Sequence, residues 1–103
     1  MNFEKLFEAI QADYDRWNQR LGFDKEQMDF DVRVGRKYAK IVRERGVSVW
    51  GFVQLQDDDK FKAGDILMAS SWSAPARNKA RGNVLTGDLS MVQWQGPEYL
   101  RGE

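Results

Sequence analysis

The spacing of the apolar residues changes once along this chain, and that change decides its fold class. Phe3, Leu6, Phe7, Ile10, Tyr14, Trp17 and Leu21 recur at intervals of three and four, which lines them along one stripe of an α-helix. Asn2 can cap the start of that helix, and Gly22 can close it in the left-handed conformation that other residues resist. From Tyr38 the period is two. Ala39, Ile41 and Arg43 alternate with Tyr38, Lys40 and Val42, and Glu44, Arg45 and Gly46 supply a turn. Val47, Val49, Gly51, Val53 and Leu55 then face away from Ser48, Trp50, Phe52 and Gln54. Asp57, Asp58, Asp59 and Lys60 make the next turn, and Ile66, Leu67, Met68 and Ala69 form a third strand. Met28, Phe30, Val32 and Val34 also alternate, so a fourth strand precedes Gly35. The pattern predicts an α+β fold in which an N-terminal amphipathic helix packs on a three- to four-stranded antiparallel β-meander. Residues 1–103 contain no internal repeat and no long linker, so they form a single domain.

The remaining segments are read more locally. Pro75 suits the first turn of a helix and Gly82 its end, which predicts a helix of about two turns between them. Met91, Val92, Gln93 and Trp94 add a short edge strand, after which Gly96 and Pro97 turn the chain into Glu98, Tyr99 and Leu100. Trp17 and Trp50 are assigned to the core, while Trp94 and Tyr99 are open between core and surface.

Composition removes most catalytic chemistry. The chain has no cysteine and no histidine, which excludes disulfides, thiolate and imidazole metal sites, thiol nucleophiles and imidazole acid–base catalysis. The serines have no histidine base, and the glycines form neither a dinucleotide nor a Walker fingerprint. The Asp57 to Asp59 run lacks the glycine and the distal glutamate of a calcium loop and reads as a solvated turn. We therefore expect no enzyme, no catalytic residue, no metal and no cofactor. No apolar run approaches the ~20 residues of a membrane span, and the amino terminus lacks the basic-then-apolar layout of an export signal. A cytoplasmic protein without membrane contact is expected, as a monomer or a homodimer.

Sixteen basic and sixteen acidic residues cancel, which argues against holding nucleic acid through an overall field. The distribution is uneven. Residues 1–31 carry eight acids and four bases, residues 32–56 carry six bases and one acid, and residues 66–87 carry three bases and no acid. Arg77 and Arg81 would lie one turn apart on the predicted helix, where an anion between them relieves their repulsion. Trp72 sits just before them, and an indole beside arginines is what stacking on a nucleobase requires. The candidate ligand-binding residues are therefore Trp72, Arg77, Lys79, Arg81 and Asn83, with Arg36, Lys37, Lys40 and Arg43 as an auxiliary basic surface.

Gly64-Asp65-Ile66-Leu67, Ala69-Ser70-Ser71-Trp72, Ala74-Pro75-Ala76-Arg77 and Ala80-Arg81-Gly82-Asn83-Val84, with Gly96-Pro97 and Tyr99-Leu100-Arg101, resemble small uncharacterised proteins encoded by tailed bacteriophages. The likeness runs from about Arg36 to Arg101 and is most specific between Trp72 and Asn83; the N-terminal helix lies outside it. It implies a phage origin and a host-cytoplasm setting, and it carries no activity. Three accounts follow. The basic, Trp-containing loop binds a phosphate-bearing ligand, either nucleic acid or a nucleotide. Alternatively, an acidic helix face or a Trp94 and Tyr99 patch captures a host protein. In the third account the loop only completes the fold, with its guanidinium groups bonded to the protein's own carbonyls and acids.

Overall fold

The computed structural model describes residues 1–24, 27–43, 46 and 48–97, so Glu44, Arg45, Val47, Tyr99 and Arg101 lie outside the described residues. The helical period becomes α1, Glu4–Leu21. The Asn2 side chain accepts the Glu4 N–H at 2.8 Å, which satisfies one of the donors left over at a helix start. Gly22 adopts φ 77°. The Gly22 and Phe23 amides donate back to the Gln19 and Asn18 carbonyls, and these paired bonds end the helix in a Schellman motif.

The period-two region becomes β1 (Phe30–Val34), β2 (Tyr38–Arg43), β3 (Ser48–Gln54) and β4 (Ile66–Leu67). Their order in the sheet is β1-β2-β3-β4, with every neighbouring pair antiparallel. The α+β class and the meander are thus present with all four strands. Leu6 and Ile10 of α1 are fully buried against Ala39, Ile41, Val53 and Ile66. Burying each such aliphatic side chain is worth about 1.5–3 kcal/mol. Toward its end α1 runs past this sheet and packs on β5 (Val92–Gln93). Trp17, expected in the core, is therefore 37% exposed, while Trp50 is buried as expected.

Strict alternation fails at Trp50. Ile41 pairs with Gly51 and Val42 with Val49, so Trp50 is an extra residue in β3. Such a bulge reverses the faces beyond it. Trp50 consequently joins Val53 on the helix side, and Val49 joins Phe52 on the opposite side with Phe61 and Leu67.

The expected helix between Pro75 and Gly82 does not form. The chain turns tightly at residues 70–74, where the Ser70 and Ser71 amides both donate to the Ala74 carbonyl. It then runs back beside β4, with the Ala76 amide on the Met68 carbonyl, the Arg81 amide on the Ile66 carbonyl, and the Ile66 amide on the Gly82 carbonyl. Those backbone groups are spent on the sheet edge, so none remains for helical bonding. Gly82 serves a close approach there, since a Cβ would collide with the Asp88 carbonyl. Two further departures lie beside this segment. β4 ends at Leu67, and β5 does not add to the main sheet; it pairs with β6 (Gly96–Pro97), the residues assigned to a turn.

Candidate functional site

Two of the three loop cations, Arg77 and Arg81, are occupied by the protein's own groups. Arg77 donates to the Asp58 carboxylate at 2.8 Å and to the Tyr38 hydroxyl at 2.6 Å, and its guanidinium lies 4.8 Å above the Phe61 ring. Asp58 also accepts the Phe61 and Lys60 amides at 2.8 and 2.9 Å and the Gln54 side chain at 3.0 Å. These donors, led by the Phe61 and Lys60 amides, hold the Asp58 carboxyl well below the usual carboxylate range. The bond to Asp58 in turn raises the Arg77 pKa. The expected solvated turn is a hub that fastens three segments.

Arg81 is 0% exposed. Its guanidinium donates to the Asn78 side chain at 2.9 Å and the Lys79 carbonyl at 3.0 Å, and burial lowers its pKa. Asn83 uses its whole amide. It donates to the Ala63 carbonyl and Asp65 carboxylate and accepts from the Leu85 and Thr86 amides, all within 3.0 Å. With no helix between Pro75 and Gly82, the expected anion seat on successive turns has no frame. Lys79 alone among the four polar loop candidates keeps an exposed side chain.

Trp72 stands apart from them. Its side chain emerges from the turn at residues 70–74, 42% exposed. The Lys40 ammonium lies 4.5 Å from the ring centroid and the Arg33 guanidinium 5.7 Å from it. Arg33 on β1 is directly opposite Lys40 on β2, and like charges in that position destabilise a sheet. Asp31 lies 3.5 Å from Arg33, but both side chains are more than half exposed, so the pair offsets little of that repulsion. Arg36 and Lys37 occupy the exposed turn of the same hairpin, with Lys37 5.9 Å from the Tyr38 ring. Among the described residues, Arg36, Lys37 and Lys40 make no ion pair. The loop and the basic hairpin thus meet through Trp72.

Arg43 leaves this surface. Odd-numbered residues of β2 face α1, and Arg43 donates to the Ser48 hydroxyl at 3.3 Å and to the Trp94 carbonyl. Arg33 was not among the sequence candidates. Its signal was the hairpin register: a turn around Gly35 that pairs Val34 with Ala39 sets Arg33 against Lys40.

No group of three or more metal-binding side chains converges among the described residues, and none of their helices is long and apolar enough to cross a membrane. No curated protein and no solved structure matches the chain. A family model does, over residues 1–99, so the likeness takes in the N-terminal helix that the phage resemblance left out. The chain accordingly belongs to the family described as a family of unknown function, DUF7717.

Proposed function

We propose that this protein binds single-stranded nucleic acid through the β1–β2 hairpin and Trp72. The observation that carries the reading is the Lys40 ammonium 4.5 Å above a half-exposed indole, with Arg33 directly across the sheet. A protein gains nothing in stability from facing two cations, and a phosphate between them turns repulsion into attraction. An exposed cation–π contact is worth only about 0.5–1 kcal/mol, so a nucleobase, worth about 1–3 kcal/mol when stacked on an aromatic residue, can take its place. Arg36 and Lys37 extend the row of cations along an exposed hairpin, which favours a phosphate chain over one enclosed nucleotide. Arg77, Arg81 and Asn83 hold the loop that presents Trp72 and make no contact with the ligand. The resemblance to tailed-phage proteins supports a setting for this activity in the cytoplasm of an infected host.

Fluorescence anisotropy of a labelled single-stranded oligonucleotide tests the reading. With three or four phosphates neutralised, log Kd should change with log salt at a slope of about 2–3. The Arg33→Glu, Lys40→Glu double variant should weaken binding at least about tenfold. Unchanged affinity in that variant, or affinity indifferent to salt, would overturn it.

A further inference from the structure

A second aromatic and cationic site lies at the other end of β2, on the face that α1 covers. A neighbouring cleft of about 400 Å³ shares Gln93 and Gln95 with this site, is lined otherwise by apolar residues such as Val49, Trp50, Met68 and Pro97, and carries no charge. The cleft beside the end of α1 is smaller, about 310 Å³, and differs in chemistry. Trp17 and Trp94 line it with their ring centroids 5.9 Å apart, Arg16 and Arg20 come from successive turns of α1, and Gln93 and Gln95 complete it.

The parts are held in place. Asp13 accepts the Arg16 guanidinium on one oxygen at 3.3 Å and the Trp94 amide on the other at 2.9 Å. Asp13 lines the cleft as well, and with its charge set against Arg16 the cleft keeps one net positive charge. Tyr14 packs on Trp94 at 5.1 Å, and the Arg43 guanidinium lies 5.7 Å from the same ring. Arg20 makes no ion pair among the described residues. Two arginines four residues apart on a helix repel, and an indole left 37% exposed beside a second indole forgoes burial. Both deficits vanish if one ligand brings a ring and an anion together.

We infer that this cleft binds a planar ring carrying a phosphate, the ring against Trp17 and Trp94 and the phosphate on Arg16 and Arg20. Its volume is near the lower end of the roughly 300–1,000 Å³ range of ligand pockets, the size for one nucleotide. Arginine's planar fork matches phosphate oxygens in pairs, and the Gln93 and Gln95 amides offer donors and acceptors to a base edge. The site uses α1, β5 and the turn after it, so it stands or falls independently of the hairpin. The shared ligand chemistry has two sources, a free mononucleotide or the phosphorylated end of a nucleic-acid strand.

Tryptophan quenching in the full chain carrying Trp72→Phe, which silences the exposed indole at the hairpin, reads this cleft. The probes are adenosine monophosphate, adenosine, inorganic phosphate and a 5′-phosphorylated trinucleotide. Saturable quenching by the monophosphate is expected, with adenosine and phosphate each at least about tenfold weaker. Arg16→Ala with Arg20→Ala should weaken the monophosphate by at least about tenfold, and Arg33→Glu with Lys40→Glu should leave it unchanged. If the alanine variant melts early, Arg16→Lys with Arg20→Lys keeps the charge, loses the fork, and should still weaken binding. A tighter trinucleotide assigns the cleft to a strand end, and an equal one to the free nucleotide; both support it. Absence of saturable quenching, equal quenching by adenosine, or arginine variants that bind normally would overturn the inference. Loss in the hairpin variant alone would also overturn it, while leaving the hairpin reading intact.

Discussion

Arg77 and Arg81 in the long loop are enclosed by acceptors of their own protein, whereas Arg33 and Lys40 in the β1–β2 hairpin face each other with an exposed indole beside them. All four carry the same charge. The difference is how many acceptors each has gained on folding. A cation with a full set of partners holds a structure together, and a cation opposite another cation is, on the function proposed above, held for something that arrives from outside.

The largest test of this contrast is on the structural side. Arg81→Ala removes a fully buried guanidinium and its hydrogen bonds to the Asn78 oxygen and the Lys79 carbonyl. Chemical denaturation should show a loss of about 3 kcal/mol from the cavity and the lost hydrogen bonds combined. The protein that remains folded should bind oligonucleotide normally; weaker binding by that folded fraction would break the division.

Asp58 sharpens it through pH. Its folded carboxyl titrates below its ordinary value because the Phe61 and Lys60 amides and Arg77 favour the charged form. Its contribution to stability is thus fully present above the usual carboxylate range and drains away as pH falls through that range. Asp58→Asn should lower the melting temperature at pH 7 and flatten its fall between about pH 5 and pH 2. Parallel melting curves for the two proteins would contradict the hub.

A smaller effect is expected at the hairpin. Lys40→Glu gains an attractive cross-strand pair, about 0.2–1 kcal/mol, and loses the contact with the Trp72 ring, about 0.5–1 kcal/mol, so stability should stay within about 1 kcal/mol of the parent while oligonucleotide binding weakens. A residue that can be replaced at little cost to the fold but harms binding is placed for binding. Lys79→Ala, on an exposed side chain, should shift stability by no more than about 0.5 kcal/mol.

What the sequence revealed follows the range of the interactions. Asn2, Gly22 and the stripe from Leu6 to Ile10 act within a few residues, and the helix they predict forms as read. The strands were legible for the same reason. The bulge at Trp50 was not, because it depends on how β3 meets β2. The loop after Ser71 was misread as a helix because Pro75 and Gly82 are consistent with one locally, while the bonds that decide it run to Ile66 and Met68. The same long-range bonds turned Arg77 and Arg81 inward, since Asp58 is 19 residues from Arg77 in sequence and within hydrogen-bond reach in space. Trp72 and Lys40 were each singled out from the sequence. Their meeting, and the part of Arg33 in it, required the register of the hairpin.

The central claim is that Trp72 and the hairpin cations meet the ligand while the loop guanidiniums remain engaged within the protein. Side-chain NMR during an oligonucleotide titration reads both at once, through the Trp72 indole N–H and the guanidinium N–H signals of Arg33, Arg77 and Arg81. The Trp72 and Arg33 signals should move to saturation while those of Arg77 and Arg81 stay in place. Movement of the Arg77 and Arg81 signals with Trp72 unmoved would contradict the account.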